Sequence, residues 1–197
     1  FIATCRRNMN RTEAANFEYR TDENNHVWIV SLNGKKTKDA SRRMTRALSD
    51  TQDLLCIPET INGRTVVGID PQAFRNEDKI HAVFLPDTVT EIGSQAFENC
   101  SSLTTVQASS ALTSIGSRAF AETSALSSFT FPQTLTAVGE ESFTGSGIVT
   151  ANLPQSVTYL GAGAFADCTK LVYAQVPAAI QAVRERTFRN CTELKNV

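Results

Sequence analysis

A phenylalanine recurs at Phe74, Phe97, Phe120, Phe143, Phe165 and Phe188, at intervals of 23, 23, 23, 22 and 23 residues. So constant an interval is the mark of stacked coils, because each circuit of chain must return to the same place above the one before. The neighbouring columns keep the same register. Eight residues before each Phe stand Val66, Val89, Leu112, Leu135, Val157 and Ile180, and five before stand Ile69, Ile92, Ile115, Val138, Leu160 and Val183. Immediately before each Phe is a small residue, Ala73, Ala96, Ala119, Ser142, Ala164 or Thr187, as expected where coils approach closely.

Downstream of each Phe an apolar triplet spaced as LxxLxL follows: Ile80, Val83, Leu85; Leu103, Val106, Ala108; Leu126, Phe129, Phe131; Ile148, Ala151, Leu153; and Leu171, Ala174, Val176. The last two members of each triplet fall on one side of a strand and the residues between them point away. One coil cannot bury these columns alone, so the coils must stack and give one strand each to a parallel sheet, with strands about 4.8 Å apart. Pro58, Pro86, Pro132, Pro154 and Pro177 follow the strands and turn the chain, and Ser109 replaces proline once. Gly93, Gly116, Gly139 and Gly161 follow the Ile/Val/Leu column and mark either an unusual backbone angle or a close approach. Asp70 and Arg184 take that place in the end coils, and Arg184 predicts a last coil that departs from the pattern. Length changes occur at Asn62 and Gly63, a tight-hairpin signal, and at the loss of one residue between Phe143 and Pro154.

Composition narrows the function. Nineteen Lys plus Arg against twenty Asp plus Glu give a net charge of -1, so no long-range field draws the chain to nucleic acid or anionic lipid. No apolar run approaches the roughly 20 residues of a membrane span, and no signal-peptide pattern opens the chain. The five cysteines contain no CxxC pair and no metal-ligand spacing, which predicts thiols without disulfides. Two histidines, His26 and His81, leave few candidates for a metal site. We therefore expect no metal and no cofactor.

The string LPDTVTEIGSQAFENCSSLTTV, echoed by LPQSVTYLGAGAFADCTKLVYAQVP, resembles the BspA-like leucine-rich repeats of surface proteins. The resemblance covers residues 57–197. It implies a leucine-rich repeat solenoid, a right-handed coil with a parallel β-sheet on the concave face and short strands, turns and 3-10 elements on the convex face. By analogy it also implies a secreted or cell-surface role in adhesion or ligand binding. Residues 57–197 are read as about six coils of 22–23 residues, and residues 1–56 as an N-terminal α+β cap over the apolar end of the stack. In the cap, VWIVSLNG reads as a strand ending at Asn33 and Gly34; Ala40, Met44, Ala47 and Leu48 have helical spacing, and Phe17 and Trp28 are the expected buried anchors. The chain stops inside a strand, so further coils are expected beyond it.

Chemistry is sparse. The Gly161–Gly163 and Gly145–Gly147 pairs lie in repeat register and begin no phosphate loop. His81 has no nucleophile at a fixed offset, and Glu140, Glu141, Glu185 and Asp167 form no carboxylate ladder, reading instead as solvated surface. The basic stretch Lys35, Lys36, Lys38, Arg42, Arg43 and Arg46 reads as a polar helix face. Asn10, Asn99 and Asn190 stand in N-x-[ST] sites, the latter two in turns that packing explains without a glycan.

The outward residues of the expected sheet are Ala82 and Phe84, Thr105 and Gln107, Ser128 and Thr130, Thr150 and Asn152, and Tyr173 and Gln175. None is charged. Rows of Thr, Ser, Gln and Asn with two aromatic rings suit a protein loop, an extended peptide or a glycan better than a phosphate backbone. Two readings follow: a non-enzymatic recognition module using this face, or a spacer that displays another domain and binds nothing itself.

Overall fold

The computed structural model describes residues 17–32 and 54–197, and within them the chain is a parallel β-solenoid. The helical spacing over residues 40–48, the turn at Asn33 and Gly34, and the basic stretch of residues 35–46 lie outside the described residues. A hairpin of β1 (Phe17–Thr21) and β2 (Val27–Leu32) opens it, and β2 pairs in parallel with β5 (Arg64–Ile69). Phe17 is buried, as expected of an anchor, while Trp28 keeps part of its surface exposed. Its ring lies across Gly68, where an added Cβ would come within 2.4 Å, and the Arg20 guanidinium sits 4.8 Å from the ring centroid. Arg20 in turn forms an ion pair with Asp70 at 2.6 Å.

Most coils contribute to two sheets. The residue five before the Phe ends a two-residue strand: β7 (Glu91–Ile92), β9 (Ser114–Ile115), β10 (Ala137–Val138) and β12 (Tyr159–Leu160) stack in that order on β5. Their register runs Ile69, Ile92, Ile115, Val138, Leu160, the column read from the sequence. The second sheet is formed by three-residue strands, β3 (Leu54–Cys56), β6 (Ala82–Phe84) and β8 (Thr105–Gln107), then, separately, β11 (Thr150–Asn152) and β13 (Tyr173–Gln175). The remaining element, β4 (Thr60–Ile61), pairs antiparallel with β5 through Asn62 and Gly63, both at positive φ (51° and 74°), as the Asn-Gly signal predicts.

The core lies between the sheets. Phe74, Phe97, Phe120, Phe143 and Phe165 are fully buried and, with Phe188, form one stack with centroids 5.2, 5.3, 5.3, 5.4 and 5.9 Å apart. Spacings of this size are those at which each ring pair adds about 0.5–1.5 kcal/mol beyond area burial. Proline turns close each coil, with Val89, Leu135, Val157 and Ile180 N–H groups donating to the prolyl carbonyls three residues earlier. At Ser109 the same turn forms, Leu112 N–H donating to the Ser109 carbonyl at 3.3 Å.

Glycine in the post-column position serves close approach. A Cβ on Gly93, Gly116, Gly139 or Gly161 would meet main-chain atoms of the preceding coil at 2.6, 2.5, 2.6 and 2.4 Å. Positive φ is found elsewhere, at the residues two before and two after each Phe: Gln72 and Asn76, Gln95 and Asn99, Arg118 and Glu122, Glu141 and Gly145, Gly163 and Asp167, Arg186 and Asn190. Neither the glycines of this column nor Asp70 and Arg184 are among them, so of the two readings, unusual angle or close approach, it is close approach that holds. Where Arg184 replaces glycine the short strand does not form, and Val183 is 47% exposed. A threonine ladder ends at the same coil. Thr90, Thr113, Thr136 and Thr158 hydroxyls each donate to the carbonyl of the equivalent residue one coil earlier, at 3.2, 3.0, 3.0 and 3.4 Å, and Gln181 follows.

The cysteines divide. Cys100, Cys168 and Cys191 are thiols that donate to the carbonyls of Phe74, Phe143 and Phe165 in the preceding coils at 3.1, 3.0 and 3.0 Å, pinning the turns. The expectation that no cysteine is bridged is overturned at Cys56, which is disulfide-bonded. Its partner lies outside the described residues. Spacing alone missed it because a bridge depends on which residues meet in space and not on the interval between them.

Gly116→Ala is expected to lose about 1–3 kcal/mol in a urea melt, since the new methyl meets backbone that cannot yield. In denaturant without reductant, three of the five cysteines should titrate as thiols. Burial pushes the Cys168 thiol from 9.0 up to about 11, so its contribution to stability is complete below pH 9.0 and is lost as pH rises through about 11. Native Cys168 should therefore resist alkylation at neutral pH.

Candidate functional site

The strands β3, β6, β8, β11 and β13 send their middle residues, Leu55, Val83, Val106, Ala151 and Ala174, into the core. The flanking residues therefore face away from it. Parallel register aligns Ala82 with Thr105 and Phe84 with Gln107, and aligns Thr150 with Tyr173 and Asn152 with Gln175. Thr105, Gln107, Thr150, Asn152, Tyr173 and Gln175 are exposed, Tyr173 by 38%. Phe84 is half-buried, packed with Ala82 against Leu54 and Cys56 in a small apolar cluster outside the main core. It is held rather than presented.

Ser128 and Thr130 are also exposed, but the expected continuous sheet is interrupted there. Residues 126–131 form no strand, leaving β8 and β11 unpaired with them. The reason is side-chain volume. Phe129 and Phe131 occupy core positions that hold Val, Leu or Ala in the other coils, and their rings wedge against Phe120, Phe143 and Phe165 at 4.9–6.3 Å spacings within one aromatic cluster.

Polar side chains on this face differ from those elsewhere in the fold. Away from it, several hydroxyls and amides bridge coils: the Thr90 to Thr158 ladder, Thr104 to the His81 carbonyl at 2.9 Å, Gln72 to Gln95 at 3.0 Å and Asn99 to Asn76 at 3.0 Å. On the ladder face, Thr105, Ser128, Thr130, Thr150, Asn152, Tyr173 and Gln175 make no side-chain hydrogen bond among the described residues, and Gln107 makes only a 3.5 Å contact to the Ala108 carbonyl. Their donors and acceptors are available to a partner. None carries charge.

Charge is concentrated at the turns around the phenylalanines. Glu98 is 5% exposed and held by Arg75 Nε at 2.6 Å, Arg118 Nη2 at 2.7 Å and Gln95 Nε2 at 2.8 Å. Arg118 also reaches Glu141, so one guanidinium joins three coils, and these carboxylates hold its pKa above the usual value. Arg189, then Asn190, hold the Asp167 carboxyl below the usual carboxylate range. The reading of Glu141 and Asp167 as merely solvated is thus corrected to cross-coil ion pairing. Glu98 was missed, because nothing in a 23-residue period announces which carboxylate will be enclosed. Asn99 and Asn190 amides donate to Asn76 and Asp167, in agreement with a packing role for those turns. Asn10 lies outside the described residues. The His81 ring Nδ1 is 3.0 Å from the Lys79 carbonyl. Among the described residues no three His, Cys, Asp or Glu side chains converge as metal ligands, and no helix is long and apolar enough to cross a membrane.

The BspA type leucine-rich repeat region matches residues 67–195 in six copies, and the chain belongs to that family. Its fold is that of a T. pallidum leucine-rich repeat protein, with 27% identity and a TM-score of 0.83 over 94% of this chain and 80% of that one. A leucine-rich repeat protein from Bacteroides ovatus is 29% identical with a TM-score of 0.79, over 91% of this chain and 45% of that one, so this chain spans about half of its length. A leucine-rich repeat protein from Eubacterium ventriosum, 21% identical with a TM-score of 0.58 over 84% of this chain and 43% of that one, shares the fold. No curated protein sequence matches. Leucine-rich repeat domains are in general protein-interaction modules and are typically non-enzymatic.

Because the face residues contact little, Thr105→Ala, Gln107→Ala, Asn152→Ala and Gln175→Ala should each shift the urea-melt stability by less than about 0.5 kcal/mol.

Proposed function

We propose that this chain is a non-enzymatic recognition or adhesion module of a cell-surface or secreted protein, binding a protein or glycan partner through the ladder face. The array of residues 57–197 supplies the surface and residues 1–56 cap its apolar end. Phe84, Thr105, Gln107, Ser128, Thr130, Thr150, Asn152, Tyr173 and Gln175 form the contact region, with Phe84 as its half-buried flank. One observation carries this reading: the face holds aligned rows of exposed, uncharged donors and acceptors left unused by the fold, while several side chains of the same types elsewhere bridge coils.

The disulfide at Cys56 supports an oxidising compartment, which suits a secreted or surface location. The lack of charge on the face argues against nucleic acid, whose phosphates need Lys or Arg. Individually weak contacts gain avidity when many copies act together on a cell.

A folded Gln107→Ala/Asn152→Ala/Tyr173→Ala variant is expected to lose at least tenfold in affinity for any partner the wild-type chain captures in a glycan array or an extracellular-protein pull-down. Unchanged binding by that variant would place the contact elsewhere, and no capture by the wild type in either screen would favour a spacer.

A further inference from the structure

The interruption in the ladder face is a second kind of feature, made of main chain. None of the N–H groups of residues 127–131 donates to a main-chain acceptor, and of their carbonyls only that of Ser127 accepts a main-chain bond, from Val149 at 3.1 Å. Equivalent groups in other coils are paired. Thr104 N–H donates to His81 at 2.9 Å, Leu85 to Gln107 at 3.0 Å, Leu153 to Gln175 at 3.3 Å, Val172 to Val149 at 2.9 Å and Lys195 to Val172 at 3.0 Å. Unpaired main-chain groups must be satisfied by water or by a ligand, since leaving them dry costs about 1–3 kcal/mol each.

The sequence maintains this gap. Phe129 and Phe131 stand where Val83 and Leu85, Val106 and Ala108, Ala151 and Leu153, and Ala174 and Val176 stand in the other coils. The one-residue loss after Phe143 accompanies them, bringing Gly147 against the Ser124 carbonyl so closely that a Cβ would meet it at 2.4 Å. The coils on either side carry Ala108 and Ala151 among their equivalent positions.

We propose that residues 127–131, with the Gln107 and Asn152 amides flanking them on β8 and β11, are the point at which the ladder face hydrogen-bonds an uncharged glycan. The inference rests on the ladder face being the binding face. The gap offers main-chain N–H and C=O together, next to the Ser128 and Thr130 hydroxyls. Sugar hydroxyls both donate and accept, so a polyhydroxylated chain can answer this mixture without a matching sequence of its own. Tyr173, in register with Thr150, presents an exposed ring two coils from the gap, about 10 Å along the stack at a strand spacing of about 4.8 Å, on which a further sugar ring of the same chain can lie. An anionic glycan would bring charge to a face with no cation to receive it. β8 and β11 are sheet edges here, but residues 126–131 run between them, Ser127 within hydrogen-bond distance of Val149, so no further peptide strand fits in the gap.

Hydrogen exchange and affinity measurements on the intact chain test this, with mannan, dextran and xyloglucan as neutral probes and heparin as the anionic one. The amides of residues 127–131 are expected to exchange at least tenfold faster than those of β8 in the free protein, and to slow at least tenfold on binding one of the neutral polysaccharides. Phe129→Val/Phe131→Leu, which restores the pattern of the other coils, should close the ladder and weaken that binding at least tenfold while Ser128 and Thr130 remain. If that variant fails to fold, Ser128→Ala/Thr130→Ala and the wild-type exchange pattern decide. The inference is overturned if no neutral polysaccharide binds, if heparin alone binds, if residues 127–131 are already protected in the free protein, or if bound polysaccharide leaves them unprotected. A protein ligand lost by Gln107→Ala/Asn152→Ala/Tyr173→Ala, with no polysaccharide bound, would sink the glycan and keep the ladder face; binding indifferent to that variant would sink both.

Discussion

Main-chain hydrogen bonding between coils is the constraint on which the rest depends. No coil satisfies all of its own amides: Gly93, Gly116, Gly139 and Gly161 N–H groups donate to carbonyls of the preceding coil, each at 2.8 Å, and Phe74, Phe97, Phe120, Phe143 and Phe165 donate onward to the next. The bonds alternate in direction around the circuit, so each coil is clamped from both sides. Apolar columns add the driving force, but the ladder sets the spacing at which they meet. A parallel arrangement of this kind must be built as a stack, since an isolated coil would expose both its amides and its phenylalanine.

That spacing explains two different uses of unusual residues. Glycine follows the Ile/Val/Leu column because main chains pass too closely there for a Cβ, while the turns around each Phe enter the left-handed region with Gln, Asn, Arg, Glu and Asp as well as Gly. Left-handed backbone in ordinary residues carries a steric penalty of about 1–2 kcal/mol each. Here it coincides with cross-coil bonds from the same side chains, Arg118 to Glu98 and Glu141, Asn99 to Asn76 and Asn190 to Asp167, which offset part of it. Where Arg184 replaces the glycine and the threonine ladder ends at Gln181, the short strand is absent and a cleft of about 320 Å³ opens beside Tyr159.

The polar inventory is split between faces. On the turns and the short-strand sheet, a threonine ladder, three thiols and a set of amides and charges hold coils together. The ladder face, by contrast, keeps its polar side chains unengaged. Phe129 and Phe131 extend the contrast to the main chain by filling the core more than its neighbours do, so a packing choice inside the stack alters the chemistry offered outside it.

The repeat, its columns, the proline turns and the Asn62–Gly63 hairpin were legible in the chain because each depends on residue type at a fixed interval. The outward side chains were legible too, since alternation along a strand follows from the LxxLxL spacing. Other features were not. Whether glycine served angle or space, which carboxylate two arginines would enclose, that Cys56 is bridged, and that two phenylalanines would part the ladder all depend on distances between residues some 20 or more positions apart. Sequence by itself determined the stacking, because a periodic apolar pattern has one economical way to leave water. Tertiary structure alone decided where the stack is tight, where it parts and which polar groups remain unspent, because those follow from the volume and reach of side chains meeting across coils.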